Sequence, residues 1–167
     1  MDIEIFKRIL GRQKDTVFRL AYSNLQNKSD AEDVSQEVFL SLYTSNKTFE
    51  TAEDEKAWLI RVTLNKCHDL RKSAWHRKRI PDYDFTMLTD RECDAKGGLI
   101  ETNHKLVDEV MKLPLNYRNV IHLYYYEGYS VAEIAIMMNK NKSTIQTWLW
   151  RARKKLKENL DGKELIV

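Results

Sequence analysis

The chain has 167 residues, of which only 5 are Gly and 2 are Pro. Because sheet proteins place Gly and Pro at their many turns, this scarcity excludes an ordinary sandwich or barrel and predicts an all-α protein. The two cysteines, Cys67 and Cys93, exclude a disulfide scaffold and have no metal-ligating partner at useful spacing. With so few cysteines a reducing cytoplasm is expected, and we expect no cofactor or metal. No apolar run approaches the ~20 residues that span a bilayer, so no membrane insertion is expected.

The formal net charge of +3 is unevenly distributed along the chain. Residues 57–79 carry seven Lys or Arg and a single acid, whereas residues 80–103 carry six acids and two bases. Residues 140–157 again carry seven Lys or Arg, with no acid. Two basic segments separated by an acidic one indicate two surfaces for a polyanion. Each basic segment alone is equally compatible with a solvated helix face.

The first third of the chain predicts two helices. Apolar residues from Val17 to Leu25 recur at helical spacing, and this helix is expected to stop near Asn27, which tolerates the left-handed conformation. Ser29 and Glu32 have the spacing of a capping box, which would open the second helix. The core stripe of that helix is predicted to be Ala31, Val34, Val38, Phe39 and Leu42.

A loop from Thr44 to Thr51 is predicted before a long third helix over about residues 52–79. Pro81 would end this helix, because proline lacks an amide proton and clashes with the preceding turn. The acidic residues 80–102, which include Gly97-Gly98, have no sustained period and predict a flexible linker. The residues of the third helix expected to face inward are Trp58, Leu59, Val62 and Leu70.

The second half predicts a compact helical unit. Helices over 103–113 and 115–127 are separated by Pro114, and Gly128 is expected to cap the second of them. Ser130 and Glu133 have capping-box spacing and would open a short helix ending at Met138. After a turn over 139–142, the last helix would run over 143–159 and bury Ile145, Leu149, Ala152 and Leu156.

This order of a capped short helix, a tight turn and a longer helix is the layout of a helix-turn-helix. The residues that face solvent near the start of the last helix would contact the edges of the DNA bases. Flanking Lys and Arg residues such as Lys142 would contact phosphates. Gln146 can form paired hydrogen bonds with adenine, and Arg151 can form them with guanine. Many helical bundles also contain a tight turn of this kind. The outward residues are Thr144, Gln146, Thr147, Trp148 and Arg151.

An acidic face is predicted on the second helix. It consists of Asp30, Asp33, Gln36 and Glu37. Because acids repel phosphate, this face suits a basic protein surface better than a nucleic acid. Compensation of the helix dipole is an alternative reason for the acids of the first turn, but it does not account for Gln36 and Glu37 further along the helix.

The motifs together resemble bacterial RNA polymerase sigma factors of the extracytoplasmic-function group. The string from Asp30 to Phe39 resembles the polymerase-binding part of sigma region 2, and Ala57 to Val62, with Asn65 and Asp69, resembles the promoter-melting helix that follows. The motifs at Leu113-Pro114, Glu127 to Ser130 and Arg151 to Leu156 resemble region 4. The resemblance covers about residues 6–79 and 103–160.

The resemblance implies a division into region 2 over 1–79, a linker over 80–102 and region 4 over 103–167. The acidic face of Asp30, Asp33, Gln36 and Glu37 would dock on the β′ clamp helices of core RNA polymerase. The loop from about Ser45 to Asp54 would capture a flipped base of the minus-ten element. The helix carrying Arg61, Asn65 and Lys72 would hold the upstream edge of that element.

Region 4 would read duplex DNA at the minus-thirty-five element through Lys142, Thr144, Gln146, Thr147, Trp148 and Arg151, and would contact the β flap. The family is commonly held inactive by anti-sigma factors, which makes such a protein a further candidate partner. The turn departs from the family pattern at Asn139, Lys140 and Asn141. Asn139 is expected to adopt the left-handed conformation of the usual Gly, and Asn141 to cap the last helix.

Two other functions compete with this one. A helix-turn-helix regulator could bind duplex DNA without polymerase, and a pure interaction protein could sequester a partner. An enzyme is not expected, because Cys67 and His68 point about 100° apart on a helix and no orienting acid is evident. Trp58 is expected in the core rather than stacked on a base. Trp148 stands where the family often has Arg. It could contact a thymine methyl or the sugar edge, but packing on the neighbouring helix is favoured.

Overall fold

The computed structural model describes residues 1–78 and 102–160, and within these ranges the chain forms helices and no strand. This confirms the all-α prediction. The chain divides into two compact units, residues 1–89 and 90–167. The predicted linker over 80–102, with Pro81 and Gly97-Gly98, lies outside the described residues except at its last position. No helix of the described ranges is long and apolar enough to cross a bilayer.

The first unit consists of three helices, α1 (Ile3–Leu25), α2 (Lys28–Ser45) and α3 (Ala52–Lys78). Their shared core confirms the predicted stripe of α2, since Ala31, Val34, Val38, Phe39 and Leu42 are all buried. On α3, Leu59 is buried, and Trp58, Val62 and Leu70 pack on the core from partly buried positions. The core thereby fixes which faces of α2 and α3 are left for solvent.

The turn between α1 and α2 differs from the prediction. Gln26, with φ of 51°, adopts the left-handed conformation, one residue before the expected Asn27. Asn27 instead caps α2, because its side chain accepts a hydrogen bond from the amide of Asp30 at 2.9 Å. The predicted capping box of Ser29 and Glu32 is therefore wrong: an amide oxygen is as good a cap as a hydroxyl, and Ser29 already lies inside the helix.

The second unit begins with α4 (Thr102–Met111) and α5 (Leu115–Ile121). The helix predicted over 115–127 changes character after α5, where His122–Tyr126 form a π-helix. The amide of Glu127 donates to the carbonyl of His122 at 3.0 Å, which is the five-residue spacing of a π-turn. Gly128, with φ of 78°, follows this segment as predicted.

The helix-turn-helix consists of α6 (Val131–Met138) and α7 (Lys142–Asn159). The Ser130–Glu133 capping box is confirmed, and Asn139 has the expected left-handed conformation, with φ of 53°. Asn141 occupies the N-cap of α7, but its side chain makes no capping hydrogen bond, so that part of the prediction is wrong. The predicted buried stripe of α7 is confirmed at Ile145, Leu149, Ala152 and Leu156.

Replacing each of the two glycines of the described ranges with Ala is predicted to change the free energy of unfolding in opposite directions. An added Cβ meets no atom within 4 Å at Gly11 or Gly128, so only the backbone conformation differs. Gly11→Ala, inside α1, is expected to raise the free energy of unfolding by about 0.5–1 kcal/mol. Gly128→Ala is expected to lower it by about 1–2 kcal/mol, because its φ is left-handed. Urea unfolding followed by circular dichroism measures both, and two changes of the same sign would contradict this account.

Candidate nucleic-acid and protein interfaces

The acidic face of α2 is exposed, as the sequence predicts. Asp33, Gln36 and Glu37 are exposed and Asp30 is half-buried in the first turn. Positions three and four apart lie on one face of a helix, so these four side chains form one patch, called the acidic surface below. The carboxylate of Glu37 lies 3.6 Å from the ammonium of Lys66 on α3. A basic partner of Glu37 would therefore compete with Lys66.

An apolar groove lies beside the acidic surface, and the sequence reasoning missed it. It has a volume of about 730 Å³ and runs between α1 and α2. Gln36 lines it, and Leu40, on the same helix, is 61% exposed. A signal was present in the sequence, because Leu40 and Tyr43 are apolar but fall outside the core stripe. The apolar side chains of the groove are Ile3, Phe6, Leu10, Phe18, Phe39, Leu40 and Tyr43.

On α3, the predicted DNA-contacting residues Arg61, Asn65 and Lys72 are all exposed. At about 100° per residue they lie within about 40° of one another, so they share one face. His68 is exposed and falls between Asn65 and Lys72 on this face. From the sequence, His68 was considered only as a possible partner of Cys67. Its spacing of seven residues from Arg61 already places it on the same side of the helix. These four residues are called the α3 face below.

The loop between α2 and α3 is shorter than predicted, because α2 continues to Ser45 and α3 begins at Ala52. Phe49 packs on Trp58 with ring centroids 5.8 Å apart, and the ammonium of Lys47 lies 5.8 Å from the Trp58 ring. Trp58 also packs on the core, as predicted. The loop thus lies against the start of α3, next to the α3 face.

Cys67 does not have the environment of a nucleophile. The residue is fully buried, and burial raises the pKa of its thiol to about 12, an effect that the charge of Arg71 partly offsets. Burial likewise lowers the pKa of the Arg71 guanidinium. Among the residues that the structure describes, no group of three or more His, Cys, Asp or Glu is arranged to hold a metal ion.

The outward residues of α7 agree with the prediction only in part. Lys142, Gln146, Thr147 and Arg151 are exposed, whereas Thr144 is half-buried. The buried stripe fixes the rotation of α7, so the helix face that points away from the core is centred near Thr147. Trp150, Arg151 and Lys154 also lie on this face. These four residues are called the α7 face below; the exposed Gln146 lies at its edge and the exposed Lys142 lies outside it.

The two tryptophans of α7 differ in exposure. Trp148, which the sequence reasoning assigned to DNA, is half-buried, in keeping with the expected packing. Trp150, which it did not assign, is 60% exposed, and the Lys154 ammonium lies 5.3 Å from its ring centroid. Trp150 precedes Arg151 and lies close to the direction opposite the buried stripe, a signal that the sequence already held. The exposed aromatic side chain of the α7 face is therefore that of Trp150.

One basic residue of α7 is already engaged by aromatic rings. The Arg153 guanidinium lies 5.6 Å from the Tyr124 ring and 5.4 Å from the Tyr125 ring. Its Nε also donates a hydrogen bond to the Tyr125 hydroxyl. Tyr124 is half-buried and Tyr125 and Tyr126 are exposed. This contact ties α7 to the π-helix. Apart from Arg153 and Lys154, which lies over the Trp150 ring, the Lys and Arg side chains of the basic segment are left for solvent or a ligand.

Comparison with known proteins identifies both units. Residues 10–77 match the family model "Sigma-70 region 2", and residues 104–156 match "Sigma-70, region 4". Together the two matched ranges span more than two thirds of the chain.

Curated relatives include the ECF RNA polymerase sigma factor SigW of Bacillus subtilis. It is 29% identical over 95% of this chain and 90% of its own length. The RNA polymerase sigma factor SigV of the same organism is 29% identical over 91% of this chain and 89% of its own length.

Solved structures share the fold. The sigma factor RpoE from Bartonella quintana, crystallised with the anti-sigma factor NepR, has a TM-score of 0.79 at 22% identity, covering 96% of this chain and 99% of its own. CnrH, solved with the cytosolic domain of CnrY, has a TM-score of 0.65 at 23% identity, covering 97% of this chain and 91% of its own. The two family matches, together with relatives matched over most of both chains, place this chain in the sigma-70 family of RNA polymerase sigma factors, within its extracytoplasmic-function group.

Proposed function

We propose that the chain is a transcription initiation factor that brings core RNA polymerase to promoters and promotes opening of the minus-ten element. The observation that carries this proposal is that one compact unit presents acids on α2 and bases on α3. A protein that binds only DNA gains nothing from the acids, because they repel phosphate. A basic protein surface complements them, and the apolar groove alongside adds area that such a partner would bury.

Each surface then has its own partner. The acidic surface, with the groove, would dock on the β′ clamp helices, and the α3 face would hold the single strand of the minus-ten element. The loop Asn46–Thr51 would receive a base flipped out of the duplex, which needs a pocket and nearby positive charge. The α7 face would read the minus-thirty-five element as duplex DNA, with side chains at base edges and Lys at phosphates.

We assign residues 1–79 to region 2, 80–102 to a linker and 103–167 to region 4, and the matched ranges 10–77 and 104–156 support this division. Region 4 would also contact the β flap. An anti-sigma factor is a further partner of this class, and it would act by covering the acidic surface or the α7 face. Since polymerase and chromosome lie in the cytoplasm, we place the protein there and assign it no reaction of its own.

The alternative is a helix-turn-helix regulator that acts without polymerase. The second unit would be sufficient for that role, but the acidic surface would then have no purpose. Run-off transcription on genomic fragments, with core polymerase alone and with the chain added, separates the two. New transcripts that need both proteins support the proposal, and an unchanged transcript pattern contradicts it.

Reversing the charge of the acidic surface tests its assignment. The double variant Asp33→Lys with Glu37→Lys is expected to lose association with core polymerase and run-off activity, because like charges would then meet across the contact. Duplex binding by the α7 face is expected to persist. The control carries Glu4→Lys and Asp108→Lys, two exposed acids outside this surface with the same total charge change. Retained polymerase binding by the double variant in a pull-down would refute the assignment.

Substitution of Trp150 is expected to weaken DNA binding, whereas substitution of Trp148 is expected to lower the stability of the fold. Trp150→Ala should weaken binding to duplex from an active template by about fivefold, roughly 1 kcal/mol, because an exposed apolar contact is lost. Its unfolding should not change. Trp148→Ala should instead lower the free energy of unfolding by about 2 kcal/mol. Fluorescence anisotropy and urea unfolding measure the two effects, and the reverse pattern would exchange the roles of the two residues.

Cys67 is expected to resist alkylation in the folded chain. With a thiol pKa of about 12, only about one thiol in ten thousand is a thiolate at pH 8, and its sulfur is covered. Reaction with iodoacetamide should therefore be slow at pH 8, faster as pH rises, and rapid in urea. Mass spectrometry of the peptide containing Cys67 follows the reaction. Equal rates with and without urea would mean that the thiol is accessible and not shielded by the core.

A further inference from the structure

A charged cluster joins the start of α3 to α1. The carboxylate of Glu55 is buried, with 4% of the residue exposed. Arg12 donates from Nε to Oε1 at 3.2 Å and from Nη2 to Oε2 at 2.6 Å. Gln13 donates from Nε2 to Oε1 at 3.1 Å. Both oxygens of Glu55 are thus satisfied by neighbouring residues of α1, and the two-point guanidinium contact fixes the orientation of the carboxylate as well as its position.

The backbone of Glu55 holds the end of the loop. Its amide donates to the carbonyl of Thr51, the last loop residue, at 3.2 Å. The Thr51 hydroxyl accepts from the amide of Asp54 at 3.0 Å and donates to the Asp54 carboxylate at 2.8 Å. The residue whose side chain is fixed to α1 therefore also closes the first turn of α3 on the loop.

The middle of the loop rests on the same part of α3. Phe49 packs on Trp58, which lies about one turn beyond Glu55, and Lys47 lies over the same ring. Lys47, Thr48 and Glu50 are exposed. Two of the loop's attachments, at Thr51 and at Phe49, thus depend on where the first two turns of α3 lie.

We propose that Glu55, Arg12 and Gln13 form a positioning cluster, which holds the loop Asn46–Thr51 where it receives the minus-ten base. This proposal rests on the proposed function of the loop. A partly buried ion pair adds little net stability, because desolvation offsets the attraction, but it fixes geometry. The cluster thus acts on DNA through the loop and touches no DNA itself.

The test uses holoenzyme assembled from core polymerase and the full chain. Arg12→Met with Glu55→Gln removes the ion pair and keeps an acceptor for Gln13. The matched control is Lys7→Met with Glu4→Gln, which removes an exposed pair of 3.2 Å on α1. The probe is the single-stranded non-template oligonucleotide of a promoter active in run-off transcription. The cluster variant should bind it about tenfold more weakly, the equivalent of one base contact, with core polymerase binding unchanged. The control should change neither.

Amide hydrogen exchange gives a second, promoter-independent measurement. In the cluster variant, exchange over residues 47–55 should accelerate while exchange over 59–70 stays as in the wild type. Arg12→Lys, which keeps the charge but loses the two-point contact, should show the same pattern in weaker form. It serves as the test if the double variant folds poorly.

Two results would overturn the proposal. One is unchanged oligonucleotide binding. The other is a parallel loss of oligonucleotide and polymerase binding with a lowered unfolding temperature, which is the result of a merely structural role. Failure of the wild-type holoenzyme to bind the oligonucleotide would instead contradict the proposed function, and amide exchange would still decide whether the cluster holds the loop.

Discussion

The first unit depends on one constraint, which is that α2 and α3 pack together while presenting charges of opposite sign. If acids and bases faced each other freely, they would pair and neither surface would be available to a partner. The shared core prevents this, because burial of Val38 and Leu42 on α2 and of Leu59 on α3 fixes the rotation of both helices. The acidic surface and the α3 face are therefore set by the apolar residues between them.

An ion pair joins the two helices, between Glu37 of the acidic surface and Lys66 of α3. A pair with one largely exposed partner is worth little in water, so it is easily exchanged for another. A basic surface that engages Glu37 would release Lys66, which at about 100° per residue points away from Asn65 and lies off the α3 face. Polymerase binding would thus exchange one weak ion pair for another and leave the α3 face unchanged.

Sequence reasoning succeeded where the signal is local and periodic. The apolar stripes of α2 and α7, the capping box at Ser130 and the left-handed Asn139 all depend on residues a few positions apart. It failed where two local solutions compete, as when Asn27 rather than Ser29 caps α2. It also failed at the π-helix after α5, because one extra residue in a turn barely changes the apolar period.

The remaining features depend on long-range placement. Arg12 and Glu55 lie 43 residues apart in sequence, and neither has a neighbour that marks it as a partner of the other. The groove between α1 and α2 likewise exists only once two helices lie side by side. Trp150 is a different case, since the buried stripe of α7 already fixes its direction. The exposure of Trp150 therefore follows from the positions of Ile145, Leu149, Ala152 and Leu156 alone.

The α7 face and the acidic surface would also respond differently to salt. The proposed contacts of the α7 face with phosphates would release counterions, so their affinity would fall steeply as salt rises. The acidic surface is screened in the same way, but the groove beside it contributes apolar area that salt does not weaken. Polymerase binding would therefore persist at salt concentrations that remove the second unit from DNA. A factor built in this way would stay bound to the polymerase while its second unit samples duplex sites.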